Sequence, residues 1–332
     1  MKPQAAHLRQ WTVLGGLLAA CAAVVVVRLM LGPAGTGLQW PTAPEILEIR
    51  LQRVAAGLTV GAALGLGGVL LQCLLRNPLA SPDVIGLASG SGLGVMVAAY
   101  ATYLVSQQIA PAGVNAGAAL VGSLATLALV YSLAQRRGRV DPVGLVLIGV
   151  IVSILCGSAT LLVQSLLPDR GVAASRWLLG AINDDVRFGT IASIGAITLV
   201  VLVWTILSGP RMDAASLGDD EARSVGVGLG RLRVQLFVAS GVLAAGSVVL
   251  AGPVGFVGLV CPHLVRLLAG ARHRVLAPGA ALAGATLVVA ADALVKVTDL
   301  GSGRLPITVL TSLIGGPLLI WLLRKEAVGE RQ

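Results

Sequence analysis

Long apolar runs separated by short polar turns dominate this sequence. A helix that crosses the hydrocarbon core of a bilayer needs about 20 apolar residues. Ten runs approach or reach this length, near residues 11–31, 54–73, 84–105, 112–134, 143–167, 189–207, 233–251, 256–270, 276–296 and 305–323. The pattern predicts an all-α polytopic membrane protein with about ten transmembrane helices, in a single transmembrane domain over residues 1–332.

The first run raises a question of processing. Lys2 and Arg9 precede it, and the sequence Leu18-Ala19-Ala20-Cys21 resembles a bacterial lipoprotein cleavage box. The apolar residues nevertheless continue through Val27 without a break. A first spanning helix therefore explains more of the sequence than a removed signal does.

The composition supports a membrane protein and sets its orientation. Of the 332 residues, 56% are hydrophobic and only 12% are charged, which excludes an ordinary soluble domain. The net charge of +9 does not indicate nucleic-acid binding, because aromatic residues make up only 3% and the basic residues lie singly between apolar runs. With both termini inside, sixteen of the 24 lysines and arginines lie in cytoplasmic segments and eight outside. This excess matches the positive-inside rule.

Glycines at helical spacing mark two of the predicted spans. They are Gly57, Gly61 and Gly65 in the second span and Gly86, Gly90 and Gly94 at the start of the third. Because glycine has no side chain, helix backbones approach closely at such positions. We interpret both ridges as packing seams, with a flexible hinge as the alternative.

Glycine and proline also interrupt two apolar runs. Gly252-Pro253-Val254-Gly255 and Pro262 break the eighth run, and Gly315-Gly316-Pro317 interrupts the tenth. Broken helices occur at membrane depth where they are buried in protein or line a cavity. These segments are therefore candidates for the translocation path, with Gly252, Pro253, Gly255 and Pro317 as the candidate residues.

One hydrophilic stretch, residues 208–232, is longer than a turn. Within it, Asp219, Asp220 and Glu221 form an acidic run, Arg223 lies four residues after Asp219, and Gly226 is a plausible helix stop. These features predict a short helix whose charges complement its dipole. The alternative is a solvated loop. On the cytoplasmic side, such a helix is a natural docking surface for a soluble partner.

Chemistry that would make this chain an enzyme is absent from the sequence. The phosphate-binding loop Gly-x-x-x-x-Gly-Lys-Ser/Thr is missing, and none of the three lysines follows a glycine. The four cysteines lie in separate apolar runs without CxxC spacing. We therefore expect no catalytic residues, no metal site and no cofactor bound by this chain. If ATP drives the protein, the ATPase is another chain.

Buried ionisable residues would mark an ion-coupled carrier. The clearest intramembrane acid is Asp292, and Lys296 lies one turn later on the same face. We expect these two to form an ion pair, with proton coupling through Asp292 as the less favoured alternative. His263, after Pro262, is interpreted as a structural, hydrogen-bonded histidine.

Four segments together resemble one family, the FecCD-type permease subunits of ABC importers for ferric siderophores, haem and cobalamin. The segments are Arg50–Asp83, Leu217–Val227, Gly252–Leu268 and Leu305–Pro317. Each segment alone is a weak signal, but the four in this order and at these separations are specific. The resemblance implies the fold of a type II ABC importer permease, with translocation as its activity.

The resemblance also implies partners, cargo and location. It implies a homodimer or a pair with a close relative, two ATPase subunits that use ATP and Mg, and a substrate-binding protein outside. Ferric siderophore is the favoured cargo, with haem or cobalamin as alternatives. An ion-coupled secondary carrier is the rival from another class. The expected location is the bacterial inner membrane.

Residue roles follow from the same resemblance. The coupling segment to the ATPase comprises Leu217, Gly218, Asp219, Asp220, Glu221, Ala222, Arg223 and Gly226, within the cytoplasmic loop 208–232. Arg50, Arg53 and Arg304 match the arginines that dock the acidic lobes of the binding protein. Ordinary interfacial snorkelling is the competing explanation for these three arginines.

Two further positions complete the sequence expectations. Val140 and Asp141 match a region that resembles a gate between spans four and five, and Asp141 is also a plausible N-cap with Pro142 in the first turn. Cys73 and Cys261 depart from the family pattern, which has a small residue and a valine there. Both replacements are small and fairly apolar.

Overall fold

The computed structural model of the chain describes residues 3–32, 37–107, 112–136, 139–167, 179–182, 186–298 and 305–329. Eleven α-helices lie within these ranges: α1 (Pro3–Met30), α2 (Pro44–Leu75), α3 (Leu87–Ser106), α4 (Ala112–Leu133), α5 (Pro142–Leu166), α6 (Phe188–Leu217), α7 (Asp219–Ser224), α8 (Leu229–Ala251), α9 (Val257–Ala269), α10 (His273–Val297) and α11 (Ile307–Gly329). A 3₁₀ turn, Pro82–Ile85, follows α2. The two-residue strands β1 (Gln135–Arg136) and β2 (Arg139–Val140) pair antiparallel between α4 and α5.

The ten predicted runs all coincide with helices. Eight helices of the described chain are long and apolar enough to cross a membrane. The shorter apolar helices Val257–Ala269 and Ile307–Trp321 lie at the eighth and tenth predicted runs. The predicted all-α membrane architecture is confirmed.

Three helices form the centre of the bundle. In the most apolar window of each helix, 78% of the α2 residues, 67% of the α8 residues and 61% of the α10 residues are buried, against 17% for α1 and for α5. Leu66 and Leu70 of α2 and Leu250 of α8 are fully buried. A displacement of α2 or α8 therefore requires the helices packed around it to shift as well, because close-packed interiors transmit strain.

The glycine ridge of α2 is a packing seam, as the sequence predicts. A Cβ atom on Gly61 would overlap the backbone carbonyl of Gly284, and one on Gly65 would overlap that of Ala280, both on α10. The ridge on α3 packs in the same way, because Cβ atoms on Gly90 and Gly94 would overlap α4. Gly86 differs: it precedes α3 with a φ of +83° and serves as a backbone turn.

We expect Gly61→Ala to destabilise the protein by about 1–3 kcal/mol, because the new methyl group forces α2 and α10 apart. The matched control is Gly67→Ala on the same helix, where the nearest neighbouring atom to the added Cβ lies 3.5 Å away. That variant should keep or slightly raise the melting temperature, since alanine favours the helix. Thermal unfolding of the detergent-purified chain measures both. Equal melting temperatures for the two variants would contradict the seam.

The stretch 208–232 is mostly helical and is not the solvated loop of the alternative interpretation. Helix α6 continues through Pro210 to Leu217, α7 follows directly, and α8 starts at Leu229. Proline costs the helix one backbone hydrogen bond. Packing outweighs that loss here, because Met212 is fully buried and Ala215 is 6% exposed. The short helix predicted within this stretch is confirmed as α7, whereas the predicted end of span six near residue 207 is wrong, because α6 continues to Leu217.

Pro262 does not break a helix either, contrary to the sequence expectation. The break lies at residues 252–256, and Pro262 is inside α9. Its missing N–H leaves the carbonyl of Gly258, four residues earlier, without its helical donor. The side-chain amide of Gln72 donates to this carbonyl at 3.5 Å, and Arg266 donates to the Gln72 Oε1 at 2.8 Å.

The tenth run is likewise continuous. Helix α11 passes through Gly315, Gly316 and Pro317 without interruption. Gly315 leaves room for the Phe256 ring, since a Cβ on Gly315 would lie 3.0 Å from the Phe256 Cβ. The glycines therefore serve close packing, and the predicted interruption is wrong.

Candidate functional site

The predicted coupling segment folds as a tight unit between α6 and α8. Helix α7 has only six residues and rests on Ala222, which is fully buried. Gly218 precedes it, where a Cβ would collide with the Glu221 carboxylate. Gly226 follows it with a φ of +78°, a conformation that side chains disfavour. The left-handed backbone at Gly226 therefore favours glycine just after the segment, whereas the Glu221 side chain could move away from a side chain at Gly218.

Asp219 connects this unit to two central helices. Its carboxylate accepts hydrogen bonds from Arg76, the residue that ends α2, and from Arg233 on α8 at 2.8 and 3.0 Å. The Nη2 of Arg223, one turn later in α7, lies 3.6 Å from the Asp219 Oδ2. The Arg76 Nε also donates to the carbonyl of Ala215 at 2.7 Å. The Asp219 carboxylate and Arg76 together therefore connect the ends of α2, α6 and α8 around α7.

The charge of Asp219 is stable near neutral pH. Burial works to raise the pKa of this carboxyl, but the hydrogen bond from Arg76 and the positive charges of Arg233 and Arg76 outweigh it and hold the pKa below its ordinary value. A depressed carboxyl pKa contributes stability above the ordinary value that is lost only as the pH falls through the lowered one. The Asp219 ion pairs therefore persist across the neutral range.

The outer face of the unit is open to a partner. Leu217 is 78% exposed and Val225 is 67% exposed, on either side of α7. The side chain of Asp220 is 94% exposed, and its Oδ1 accepts a hydrogen bond from Arg223 at 3.0 Å. Exposed apolar side chains beside fixed charges suit the docking of a protein surface. This arrangement can transmit a partner's movement to α2 and α8.

Sequence reasoning missed the partners of Asp219. Arg76 and Arg233 lie 143 and 14 residues from it in the chain. The only signal was charge: both arginines fall in segments predicted on the same side of the membrane as Asp219. This shared location places the three residues at one end of the bundle, but it does not show which of them form ion pairs.

The opposite end carries a buried ion cluster. The Asp292 carboxylate accepts from the Arg28 Nε at 2.6 Å and from the Arg53 Nε and Nη2 at 2.9 and 2.8 Å. Arg28, Arg53 and Asp292 are 2%, 9% and 2% exposed. The cluster ties α1, α2 and α10 together. The arginine partners of Asp292 come from other helices and are not predicted from the sequence, and a pair of Asp292 with Lys296 stays a prediction.

Burial also corrects the docking assignment of Arg53, whose guanidinium is enclosed by the protein and bound to Asp292. Arg50 is half-buried and donates to the backbone carbonyls of Leu29 and Gln39, so it fixes the connection between α1 and α2. Docking through Arg50 stays a prediction. Arg304 lies outside the described residues.

The candidate translocation segment, residues 252–256, is irregular but held in place. Gly252 and Phe256 have φ values of +65° and +68°. The Pro253 carbonyl accepts from the Thr308 Oγ1 at 2.6 Å, and a Cβ on Gly255 would lie 3.9 Å from Thr308. Nearby, the backbone N–H of Ile307 donates to the carbonyl of Gly180. The segment is thus fixed between α8, α9 and the start of α11, as membrane-depth backbone requires.

The remaining candidate residues lie apart from these clusters. Asp141 caps α5, with its side chain accepting from the Val143 N–H at 3.3 Å and Pro142 in the first turn, so the N-cap prediction is confirmed. Val140 lies in β2. Pro317 is exposed on α11. A gate at Val140 and Asp141 and a path at Pro317 stay predictions.

Within the described ranges, no group of three or more histidine, cysteine, aspartate or glutamate residues is placed to hold a metal ion. The geometry provides two charged centres at opposite ends of the bundle. One is buried and structural, and the other supports an exposed helix. This division suits a membrane protein that receives mechanical input at one face.

Comparison with known proteins gives a consistent result. The model of the FecCD transport family matches residues 18–325. The hemin transport system permease protein of Yersinia pestis is 34% identical over 281 residues, covering 84% of this chain and 83% of the relative. The vitamin B12 import system permease protein of Vibrio cholerae is 34% identical over 326 residues, covering 97% and 95%.

A solved structure shows the same fold. It is an inward-facing conformation of an ABC transporter described as metal-chelate type, with a TM-score of 0.82 and 30% sequence identity. The similarity covers 95% of this chain and 99% of the solved chain. The agreement therefore extends over nearly the whole of both chains.

Proposed function

The chain belongs to the FecCD transport family, and from this premise we propose that it forms the membrane pathway of an ATP-driven importer for a bulky metal chelate. As an ABC importer permease it is a transport subunit. The sequence lacks a phosphate-binding loop. ATP hydrolysis, with its Mg, is therefore assigned to a separate ATPase chain.

The observation that carries the coupling role is the Asp219 cluster. It holds the exposed helix α7 against Arg76 at the end of α2 and Arg233 on α8. Those two helices are the most buried of the bundle. A partner that moves α7 therefore also moves the core of the permease, because the ion pairs and the close packing couple the position of α7 to those of α2 and α8. We assign this partner as the ATPase.

The complete importer follows from the family. We propose two permease copies side by side, two ATPases on the face that carries α7, and a substrate-binding protein on the opposite face. Exposed apolar side chains on α5 and α11, such as Leu155 and Leu313, are available for lipid or for the second copy. The orientation proposed is cytoplasmic for α7 and for both termini, in a bacterial inner membrane.

The proposed cargo is a metal chelate delivered by that binding protein. The sequence resemblance favours ferric siderophore. The two relatives described above are named for hemin and vitamin B12, which favours haem or cobalamin as a second candidate. All three are too large for a simple ion path and suit a pathway between two permease copies.

The cargo is tested by uptake in iron-starved cells of a deletion strain and a complemented strain. Labelled ferric siderophores, haem and cobalamin are offered in parallel. We expect the deletion to abolish high-affinity uptake of one cargo, and the wild-type gene to restore it. Restoration by a gene carrying Gly67→Ala controls for expression of an altered chain. Unchanged uptake of all three cargos in the deletion strain would overturn the cargo assignment.

A further inference from the structure

Two clefts open beside the coupling helix α7. The first, of about 480 Å³, is lined by the ends of α2 and α6 and by the connection between α9 and α10. The second, of about 510 Å³, is lined by the end of α7, the linker after it and the first turns of α8. Arg76 lines the first cleft and Arg233 lines the second, and both donate to the Asp219 carboxylate. The two clefts therefore flank the helix on which we place the ATPase.

Each cleft is lined by three arginines. They are Arg76, Arg266 and Arg272 in the first cleft and Arg223, Arg231 and Arg233 in the second. Among the described residues, Asp213 is the one acid that lines either cleft. Even when the three acids of α7 are counted with it, six guanidinium groups stand against four carboxylates. The surface on both sides of α7 is therefore electropositive and attracts negatively charged groups.

In the first cleft, contacts with the protein hold two of the arginines in place. The Arg76 Nε donates to the carbonyl of Ala215 at 2.7 Å. The Arg266 Nη2 donates to the Gln72 Oε1 at 2.8 Å. A partner that binds side chains already held in position loses less conformational entropy than one that must order them. The first cleft therefore offers a preformed set of donors.

In the second cleft, Arg231 is available to a partner. It is exposed, and its side chain forms no ion pair or hydrogen bond within the part of the chain that the structure describes. The neighbouring Gly228 and Gly230 leave open space, because a Cβ on either would meet no atom within 4 Å. A guanidinium group binds a carboxylate through two parallel hydrogen bonds. The second cleft therefore has both the donor and the room for an acidic side chain.

We propose that the two clefts receive acidic side chains of the ATPase. This inference rests on the proposed function, which places the ATPase at α7, and it adds the chemistry of the ATPase surface that binds there. Leu217, which lines the first cleft and is 78% exposed, supplies an apolar part of the same contact. Water surrounds α7, since the charged Asp220 side chain is 94% exposed, so a soluble partner can reach the clefts. Carboxylates opposite the arginines orient that partner and speed its association.

The test measures the affinity of the detergent-purified permease for the ATPase chain that supports its ATP-driven uptake. The variants are Arg231→Glu in the second cleft and Arg272→Glu in the first, and both arginines are exposed. We expect each variant to bind the ATPase about tenfold or more weakly, because like charges then face each other. Raising the salt from about 50 mM to about 500 mM should weaken binding of the wild type more than that of the variants, since salt screens exposed charges.

Arg211→Glu is the matched control, because it makes the same charge change at the same end of the bundle. Arg211 lines neither cleft. It follows Leu207, which is 72% exposed, by one helical turn on the same face of α6. Its variant should bind the ATPase as the wild type does. Thermal unfolding should show the same stability for all three variants, and Arg231→Gln provides a milder change that should weaken binding less than Arg231→Glu.

The inference fails by itself if the wild type binds the ATPase and both Arg231→Glu and Arg272→Glu bind it equally well. Native mass spectrometry tests the other occupant, an anionic lipid. Loss of bound phosphatidylglycerol from these two variants, with unchanged affinity for the ATPase, would assign the clefts to lipid phosphate and overturn the proposal. Failure of the proposed function gives a different result, because wild-type uptake would then need neither the ATPase nor ATP.

Discussion

Asp292→Asn is expected to lower the free energy of unfolding by about 3–5 kcal/mol, because it leaves two buried arginines without their counter-charge. Arg28 and Arg53 reach Asp292 from α1 and α2, and all three side chains are at most 9% exposed. An uncompensated charge in the interior costs far more than the intact cluster contributes. Most of the variant should therefore be lost during extraction or unfold at a much lower temperature.

The measurement is thermal unfolding, together with the yield of monodisperse protein after detergent extraction. Glu48→Gln is the matched control, since it removes an acid from an exposed position on α2. It should behave as the wild type. A triple variant, Arg28→Met, Arg53→Met and Asp292→Leu, should recover much of the stability, because apolar residues can replace a buried ion cluster. An Asp292→Asn protein as stable as the wild type would contradict this account of the cluster.

This result bears on the rival ion-coupled carrier. In such a carrier, an essential intramembrane acid relays protons, and Asp292 is the acid that the sequence suggests. The structure gives Asp292 a structural role, so loss of uptake in Asp292→Asn reflects loss of folded protein. The triple variant separates the two explanations. The importer predicts uptake in proportion to its folded amount, whereas the carrier predicts none.

The second large effect is expected at the coupling unit. Asp219→Asn should reduce ATP-driven uptake by about tenfold or more. Typical coupling free energies between two sites correspond to effects of about 5–150-fold, and the expected loss is of that size. The substitution removes the charge that binds Arg76 and Arg233. Helix α7 then loses its connection to α2 and α8, while the ATPase chain keeps its ability to hydrolyse ATP. Uptake per ATP hydrolysed, measured in proteoliposomes, reports this uncoupling.

Asp220→Asn provides the comparison for this prediction. It removes the same charge from the same helix but breaks an exposed pair with Arg223. Exposed pairs contribute little, so we expect uptake within about twofold of the wild type. Asp219→Glu should retain part of the activity, because it keeps the charge. Equal coupling in Asp219→Asn and Asp220→Asn would show that the Asp219 cluster does not transmit the movement.

Much of the fold could be predicted because its signals are local. Apolar run length located the ten helices, and glycine spacing located the face of α2 that packs closely against another helix. The positive φ values at Gly252 and Gly226 correspond to glycines that the sequence already marked as breaks. Hydropathy and backbone freedom depend on neighbouring residues, which a single sequence displays.

What could not be predicted depends on contacts between distant segments. Arg53 precedes Asp292 by 239 residues, and nothing in its neighbourhood distinguishes it from Arg50. The two arginines are three residues apart near the start of α2. Arg53 is enclosed by the protein, whereas Arg50 donates to backbone carbonyls at the end of α1 and in the connection to α2. Their roles depend on where α10 packs.

The prolines show the same limit. Pro262 and Pro317 both mark predicted breaks, and both lie within helices. For Pro262 the reason is visible, because Gln72 supplies a donor to the carbonyl that the proline leaves open. A compensating side chain from another helix cannot be recognised from the sequence around the proline. Tertiary packing therefore overrides the local signal.

The central claim is that ATP hydrolysis by a partner at α7 drives import through this chain. Its most direct test is uptake into proteoliposomes that hold the permease with its ATPase and receive the binding protein loaded with the cargo identified in cells. We predict uptake only when ATP is present on the α7 face, and its loss in Asp219→Asn. Uptake driven by a proton or sodium gradient, without the ATPase chain or ATP, would contradict the claim.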